Sequence, residues 1–146
     1  MEKIKEIAIG SDHAGFIYKE KIIEFLKGQG YLVNDLGCYS EASVDYPDFV
    51  HPVAIIVEEN VNTKGILICG SGNGVCMTAN KHQSIRAALC WNEELAKLSR
   101  LHNDANIICI PARFIDLDLA LKMINIFLTT DFEGGRHFNR VKKIPC

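Results

Sequence analysis

The chain predicts a doubly wound α/β fold: a three-layer α/β/α sandwich, Rossmann-like, with a five-stranded parallel sheet between two helical layers. Two observations carry this expectation. Short apolar runs alternate with amphipathic helical patterns in the order βαβαβαβαβα. Several of those runs are apolar at every position, as strands buried on both faces require.

Each element has its own signal. Ile7-Ala8-Ile9 is the first strand and leads into Gly10-Ser11-Asp12-His13. A helical pattern follows over 14–29. Tyr31-Leu32-Val33 is the second strand and leads into Asn34-Asp35-Leu36-Gly37. Val50, Val53, Ala54 and Val57 recur at i, i+3, i+4 and i+7, with Pro47 suited to the first turn of their helix. Pro52 removes a backbone donor and is expected to strain the second turn. Ile66-Leu67-Ile68-Cys69 is the third strand; it runs into Gly70-Ser71-Gly72-Asn73-Gly74 and a helix over 73–82. Ile85 to Cys90 is the fourth strand. Asn92 is the expected N-cap of a helix whose stripe is Leu95, Leu98 and Leu101. Ile107-Ile108-Cys109-Ile110 is the fifth strand. Asp116 precedes the cleanest stripe, Leu117, Ala120, Leu121, Ile124, Phe127 and Leu128. The tail, 131–146, is too short for a domain and too basic for a core element. With no linker, repeat or low-complexity stretch, residues 1–146 are expected to form a single domain.

Composition excludes several function classes. The net charge is −2 and no basic run occurs, so non-specific nucleic-acid binding lacks an electrostatic basis. A charged substrate must then be drawn by a local site. No stretch approaches ~20 uninterrupted apolar residues, so no membrane span is expected. Cys38, Cys69, Cys76, Cys90, Cys109 and Cys146 form no C-x-x-C pair, which leaves zinc-ribbon and thioredoxin-like chemistry without their spacing; no metal is expected. Most of these cysteines sit in apolar runs, where a free thiol behaves as a small hydrophobe. The chain opens on charged residues with no apolar signal core, and a reducing cytoplasm fits both features.

Ligands in this fold collect at the carboxyl ends of the strands. Three motifs are expected there. In the first, the glycines of Gly70-Ser71-Gly72-Asn73-Gly74 free the backbone to present several N–H groups to an anion or a developing oxyanion. The Walker pattern is absent. Val75 stands where the dinucleotide fingerprint needs its third glycine and where a thiol phosphatase loop needs its arginine. Cys69 stands directly before this loop, a setting that turns a thiol toward thiolate, although a further buried, inert cysteine fits the pattern as well. Ser71 reads as an oxyanion donor or as a loop hydroxyl bonded to its own backbone. In the second motif, Asp12 reads as a helix cap or as a ligand of sugar hydroxyls, and His13 as a surface residue, a phosphate ligand or a proton shuttle. In the third, His102 and Asn103 close a helix, where they complement its dipole and cap. Arg136 and Arg140, four apart, share a face if helical and suit one phosphate, or else form a solvated tail. Arg113, after Pro111, is a further cation expected at the same sheet edge.

The joint order of these motifs resembles the ribose-5-phosphate isomerase B family. Gly10-Ser11-Asp12-His13-Ala14-Gly15, Asp45-Tyr46-Pro47, the Cys69–Gly74 loop, Ala79-Asn80-Lys81, Leu98-Ser99-Arg100-Leu101-His102-Asn103 and Glu133-Gly134-Gly135-Arg136-His137 carry the resemblance over essentially the whole chain. It implies interconversion of ribose 5-phosphate and ribulose 5-phosphate through an enediolate, without a cofactor. Isomerisation of allose 6-phosphate or galactose 6-phosphate is the alternative in the wider family, and a non-catalytic sugar-phosphate-binding protein is a rival of another class. The resemblance implies Cys69 as the base, and His102, with Asp12 nearby, as the ring-opening group. Gly70, Ser71, Gly72 and Gly74 are implied as the oxyanion loop, with Asn73 beside it in the substrate site. Tyr46 and Asn103 are implied along the sugar, and His13, Arg113, Arg136 and Arg140 around the phosphate. Homodimers or homotetramers with sites at the subunit boundary are also implied, so the basic tail would serve a neighbouring chain's site.

Overall fold

The computed structural model describes residues 6–146. Five strands form one parallel sheet: β1 (Glu6–Ser11), β2 (Leu32–Asp35), β3 (Thr63–Cys69), β4 (Ala87–Leu89) and β5 (Ile107–Pro111). Their spatial order is β2-β1-β3-β5-β4. The helices are α1 (Phe16–Gly28), α2 (Pro47–Glu59), α3 (Asn73–Ala79), α4 (Glu93–Leu101), α5 (Leu117–Thr129) and α6 (Arg136–Lys142).

Two separate cores define the three layers. Ile7, Ile9, Ile66, Ile68, Ile108 and Ile110 pack with α1, α4 and α5 on one face. Ala8, Leu67, Cys69, Ile107 and Cys109 pack with α2 and α3 on the other. Alternate residues of one strand therefore enter opposite cores, which is why β1, β3 and β5 are apolar throughout. β2 and β4 lie at the sheet edges and are only partly buried.

Most helix signals hold. Val50, Val53, Ala54 and Val57 are the buried face of α2, and Pro47 lies in its first turn. The helix stays continuous through Pro52. Asn92 and Asp116 cap α4 and α5, accepting the Leu95 and Leu119 amides at 2.8 Å each.

Four expectations need correction. The fourth strand shrinks to Ala87–Leu89, because Ile85 N–H closes a turn on His82 O and Arg86 N–H is taken by the Asn106 side chain. The second strand sits later than Tyr31–Val33, at Leu32–Asp35. On α4 the most buried residues are Ala96, Ser99 and Arg100, while Leu95, Leu98 and Leu101 are half-buried. Arg100 is buried because its guanidinium has partners there: Asp104 Oδ1 at 2.8 Å, Ala105 O at 2.6 Å and Thr130 O at 3.0 Å. Finally, the tail does form an element, α6, whose His137 is buried.

The topology locates the functional edge. From β1 the chain crosses by α1 to β2 on one side, and α2 covers the opposite face on the way to β3 on the other. This reversal leaves a crevice between the carboxyl ends of β1 and β3. Asp12 follows β1 and Cys69 ends β3. Their segments are joined directly, with Asp12 N–H on Ile68 O at 3.1 Å.

Candidate active site

The crevice opens as a cleft of about 530 Å³ lined by Asp12, His13, Ala14, Tyr46, Cys69, Gly70, Ser71, Asn73, Gly74, Met77, Arg113 and Phe114. Cys69 is 5% exposed, so its thiol is nearly buried yet borders open space. Gly72 N–H donates to Cys69 Sγ at 3.1 Å, which fixes the direction of the thiol against the loop. Gly72 reaches that position with a left-handed φ of 74°, which a side chain resists. Its neighbour Gly74 is required for a different reason. A Cβ there would lie 2.5 Å from the Tyr46 ring, so only glycine lets the ring close over the loop.

The other side chains are aimed by backbone contacts. Asp12 Oδ1 accepts Gly15 N–H at 3.0 Å; the carboxylate both closes the turn into α1 and borders the cleft. His13 Nδ1 accepts Val44 N–H at 3.2 Å, so the ring proton is carried on Nε2. Ser71 Oγ accepts Asn73 N–H at 3.3 Å. Arg113 follows β5, its amide on Gly70 O at 3.0 Å and its guanidinium against Gly70. Of the thiols behind the cleft, Cys109 is pushed well above the ordinary range and Cys90 up to about 11, both mainly by burial. These two are inert core cysteines. Cys76 is lowered, chiefly by its hydrogen bond with Cys109.

His102 and Asn103 lie elsewhere, which corrects the placement of the third motif. They end α4, and β5 starts at Ile107 and crosses the sheet before reaching Pro111, the partner of Cys69. That crossing is roughly 13 Å. They therefore stand at the amino edge of the sheet, and Asp12 is not near His102 within one chain. Arg136 and Arg140 are there too, on α6. Glu133 N–H bonds Leu101 O at 3.1 Å, and the His137 ring stacks on His102 with centroids 4.2 Å apart. Arg113 and the two tail arginines thus occupy opposite edges. The pKa of His137 is lowered, first by desolvation and then by His102 and Arg136.

Met77 and Phe114 line the cleft although no motif marks them. Met77 is four residues after Asn73 on the same short helix, a spacing that could have found it. The Val44 amide that orients His13 has no local signal, since it comes from 31 residues away.

A parallel doubly wound fold with a thiol, a carboxylate, a histidine and an amide-rich loop at the switch point is the class of α/β enzyme fold whose cleft groups can move a proton and hold an anion. Residues 7–144 match the family model described as Ribose/Galactose Isomerase, and the chain belongs to that family. It is 42% identical to the ribose-5-phosphate isomerase B of Escherichia coli over 143 residues, covering 98% of this chain and 96% of that protein. It is 46% identical to a probable ribose-5-phosphate isomerase B of Mycoplasma genitalium over 140 residues, 94% of this chain and 92% of that one. The crystal structure of the Thermotoga maritima ribose 5-phosphate isomerase superposes with a TM-score of 0.94 at 48% identity, covering 97% of each chain. The M. genitalium isomerase with bound ribulose-5-phosphate superposes at 0.93 with 45% identity, over 98% of this chain and 95% of that one.

Proposed function

We propose that this protein interconverts D-ribose 5-phosphate and D-ribulose 5-phosphate, with Cys69 as the base. The observation that carries this reading is the Cys69 thiol facing the cleft beside the Gly70–Gly74 loop, with Gly72 N–H 3.1 Å from its sulfur. The M. genitalium relative with bound ribulose-5-phosphate supports the choice of substrate.

In the forward direction the thiolate takes the C2 proton of the open-chain aldose. The electron pair moves into the C1–C2 bond, and the carbonyl oxygen becomes anionic. The loop amides and the Ser71 hydroxyl stabilise that oxygen. The thiol then returns a proton, exchangeable with solvent, to C1 while the C2 hydroxyl passes its own proton to the C1 oxygen, and the ketose results. The two electrons stay within the substrate, so the step needs no redox cofactor. Asp12, Tyr46 and Asn73 hold the sugar, and His13 and Arg113 face its phosphate.

The group assigned to opening the furanose, His102, is not in this half of the site. His102, Asn103, Arg136 and Arg140 are at the opposite edge of their own chain, so they serve the site of a second copy. The working unit is therefore a homodimer, singly or paired in a tetramer, with residues 1–146 of each copy as one domain. Its thiols suit a reducing cytoplasm. No helix among the described residues is long and apolar enough to cross a membrane.

The test is turnover of ribose 5-phosphate in deuterated water, following label at C1 and C2 by NMR. Cys69→Ala should lose about 10²–10⁴-fold in kcat with substrate affinity largely kept. Normal activity in that variant rejects Cys69 as the base. Equal or faster turnover of allose 6-phosphate or galactose 6-phosphate rejects the pentose assignment. Binding without exchange into substrate would make the protein a sensor instead.

A further inference from the structure

The amino edge carries a cluster that the proposed reaction does not use in full. His102 Nε2 lies 3.6 Å from Glu133 Oε2, and His137 Nε2 lies 3.9 Å from the same oxygen. One ligand atom of each residue falls within 4.8 Å of both others. Two imidazoles and a carboxylate are the donor set of open zinc sites, with the fourth position left to water.

The cluster is held by backbone geometry. Glu133 N–H is fixed to Leu101 O at 3.1 Å, one residue before His102. Gly134 and Gly135, at φ 74° and 55°, then fold the chain back so that His137 stacks on His102. Only glycine accepts two consecutive residues of that kind without strain. His137 is buried, whereas the His102 and Glu133 side chains are 38% and 57% exposed and free to adjust. Ligands about 3.3 Å apart surround a tetrahedral zinc with bonds of ~2.0–2.1 Å. Glu133 Oε2, at 3.6 Å from His102 and 3.9 Å from His137, is about 0.3 Å and about 0.6 Å beyond that spacing, which its exposed side chain can close. The rings are nearly parallel, at 11°, so His102 must tilt out of the stack to aim its lone pair at a shared ion.

We propose that His102, Glu133 and His137 bind a zinc-class divalent cation, and that the bound ion withdraws His102 from sugar chemistry. The second half rests on the role proposed for His102 above. Arg136 and Arg140 flank the cluster on α6 and oppose a cation, so the ion site and a phosphate are in competition there.

The test is calorimetric titration of the full chain, stripped with a chelator, with Zn²⁺ in phosphate-free buffer. One ion per chain is expected, with affinity weakened about tenfold or more in Glu133→Gln and in His137→Gln, since loss of a ligand costs at least as much as loss of its supporting partner. Glu133 is exposed, so its variant keeps the fold if the buried His137 variant does not; circular dichroism checks both. Co²⁺ loading should give a nitrogen–oxygen spectrum with no sulfur-to-cobalt charge-transfer band. No binding, a thiolate band from Cys146 or another cysteine, or undiminished affinity in both variants overturns the ion site. Zinc should inhibit the isomerase, a chelator should relieve it, and Glu133→Gln should resist it. Binding by the cluster with no inhibition overturns the second half alone. A zinc-free protein with no isomerase activity would overturn the proposed function and leave the binding result standing.

Discussion

The two edges of the sheet hold the two halves of the proposed chemistry, and they are built differently. At the carboxyl edge, Asp12 follows β1, Cys69 ends β3 and Arg113 follows β5, and each is tied to a neighbouring strand's segment by a backbone hydrogen bond. That half is complete within one chain. At the amino edge, His102, Arg136 and Arg140 sit on a helix end and a short terminal helix, anchored through Glu133 to Leu101 and facing no cleft residue of their own chain. In the proposed reaction a rigid sheet pre-organises proton abstraction, whereas ring opening and part of the phosphate binding would need a second copy.

The largest effect is expected from mixing two dead variants. Cys69→Ala and His102→Ala should each be nearly inactive alone. Unfolded together and refolded, they should recover about a quarter of wild-type activity, because half of randomly formed dimers are mixed and each mixed dimer has one intact site. Recovery of nothing, in chains that demonstrably mix, would break the comparison by placing both residues in one chain's site.

A smaller effect sharpens the carboxyl half. Gly74→Ala drives a methyl against the Tyr46 ring, where a Cβ has only 2.5 Å. The ring or the loop must move, and a displacement of about 1 Å at a positioned group lowers kcat/KM by as much as about 10²-fold. Steady-state kinetics beside a thermal melt would separate this from simple loss of fold. Unchanged kinetics would mean that Tyr46 does not need its present position.

The smallest effect is a control at the carboxyl edge that does not line the cleft. Asp116→Ala removes the carboxylate that accepts Leu119 N–H at 2.8 Å. It should lower stability by about 1 kcal/mol, read from denaturant unfolding, with kcat/KM unchanged. Loss of activity there would show that stability alone moves the site, and would weaken any conclusion drawn from the other variants.

Much of this was legible in the residues. Unbroken apolar runs announced β1, β3 and β5, because a strand buried on both faces has no polar position to spare. Asn92 and Asp116 announced their helices, because capping is local chemistry between residues three apart. Cys69 and its loop were found because a strand end and three glycines in five positions are adjacent in sequence. Arg100 was missed as a buried residue because its acceptors, Thr130 and Ala105, come from different segments. β4 was drawn too long because Asn106, twenty residues away, takes the Arg86 amide.

The sequence by itself determined the layers, the parallel sheet and the family, since periodicity, capping and motif order are properties of neighbours along the chain. Only the tertiary structure decided the strand order, with β5 placed inside β4, and with it the edge on which each motif lies. The physical reason is directional. In a parallel sheet every helix returns the chain to the amino edge, so a histidine at a helix end and a cysteine at a strand end are separated by the length of a strand, however alike their motifs look in the sequence.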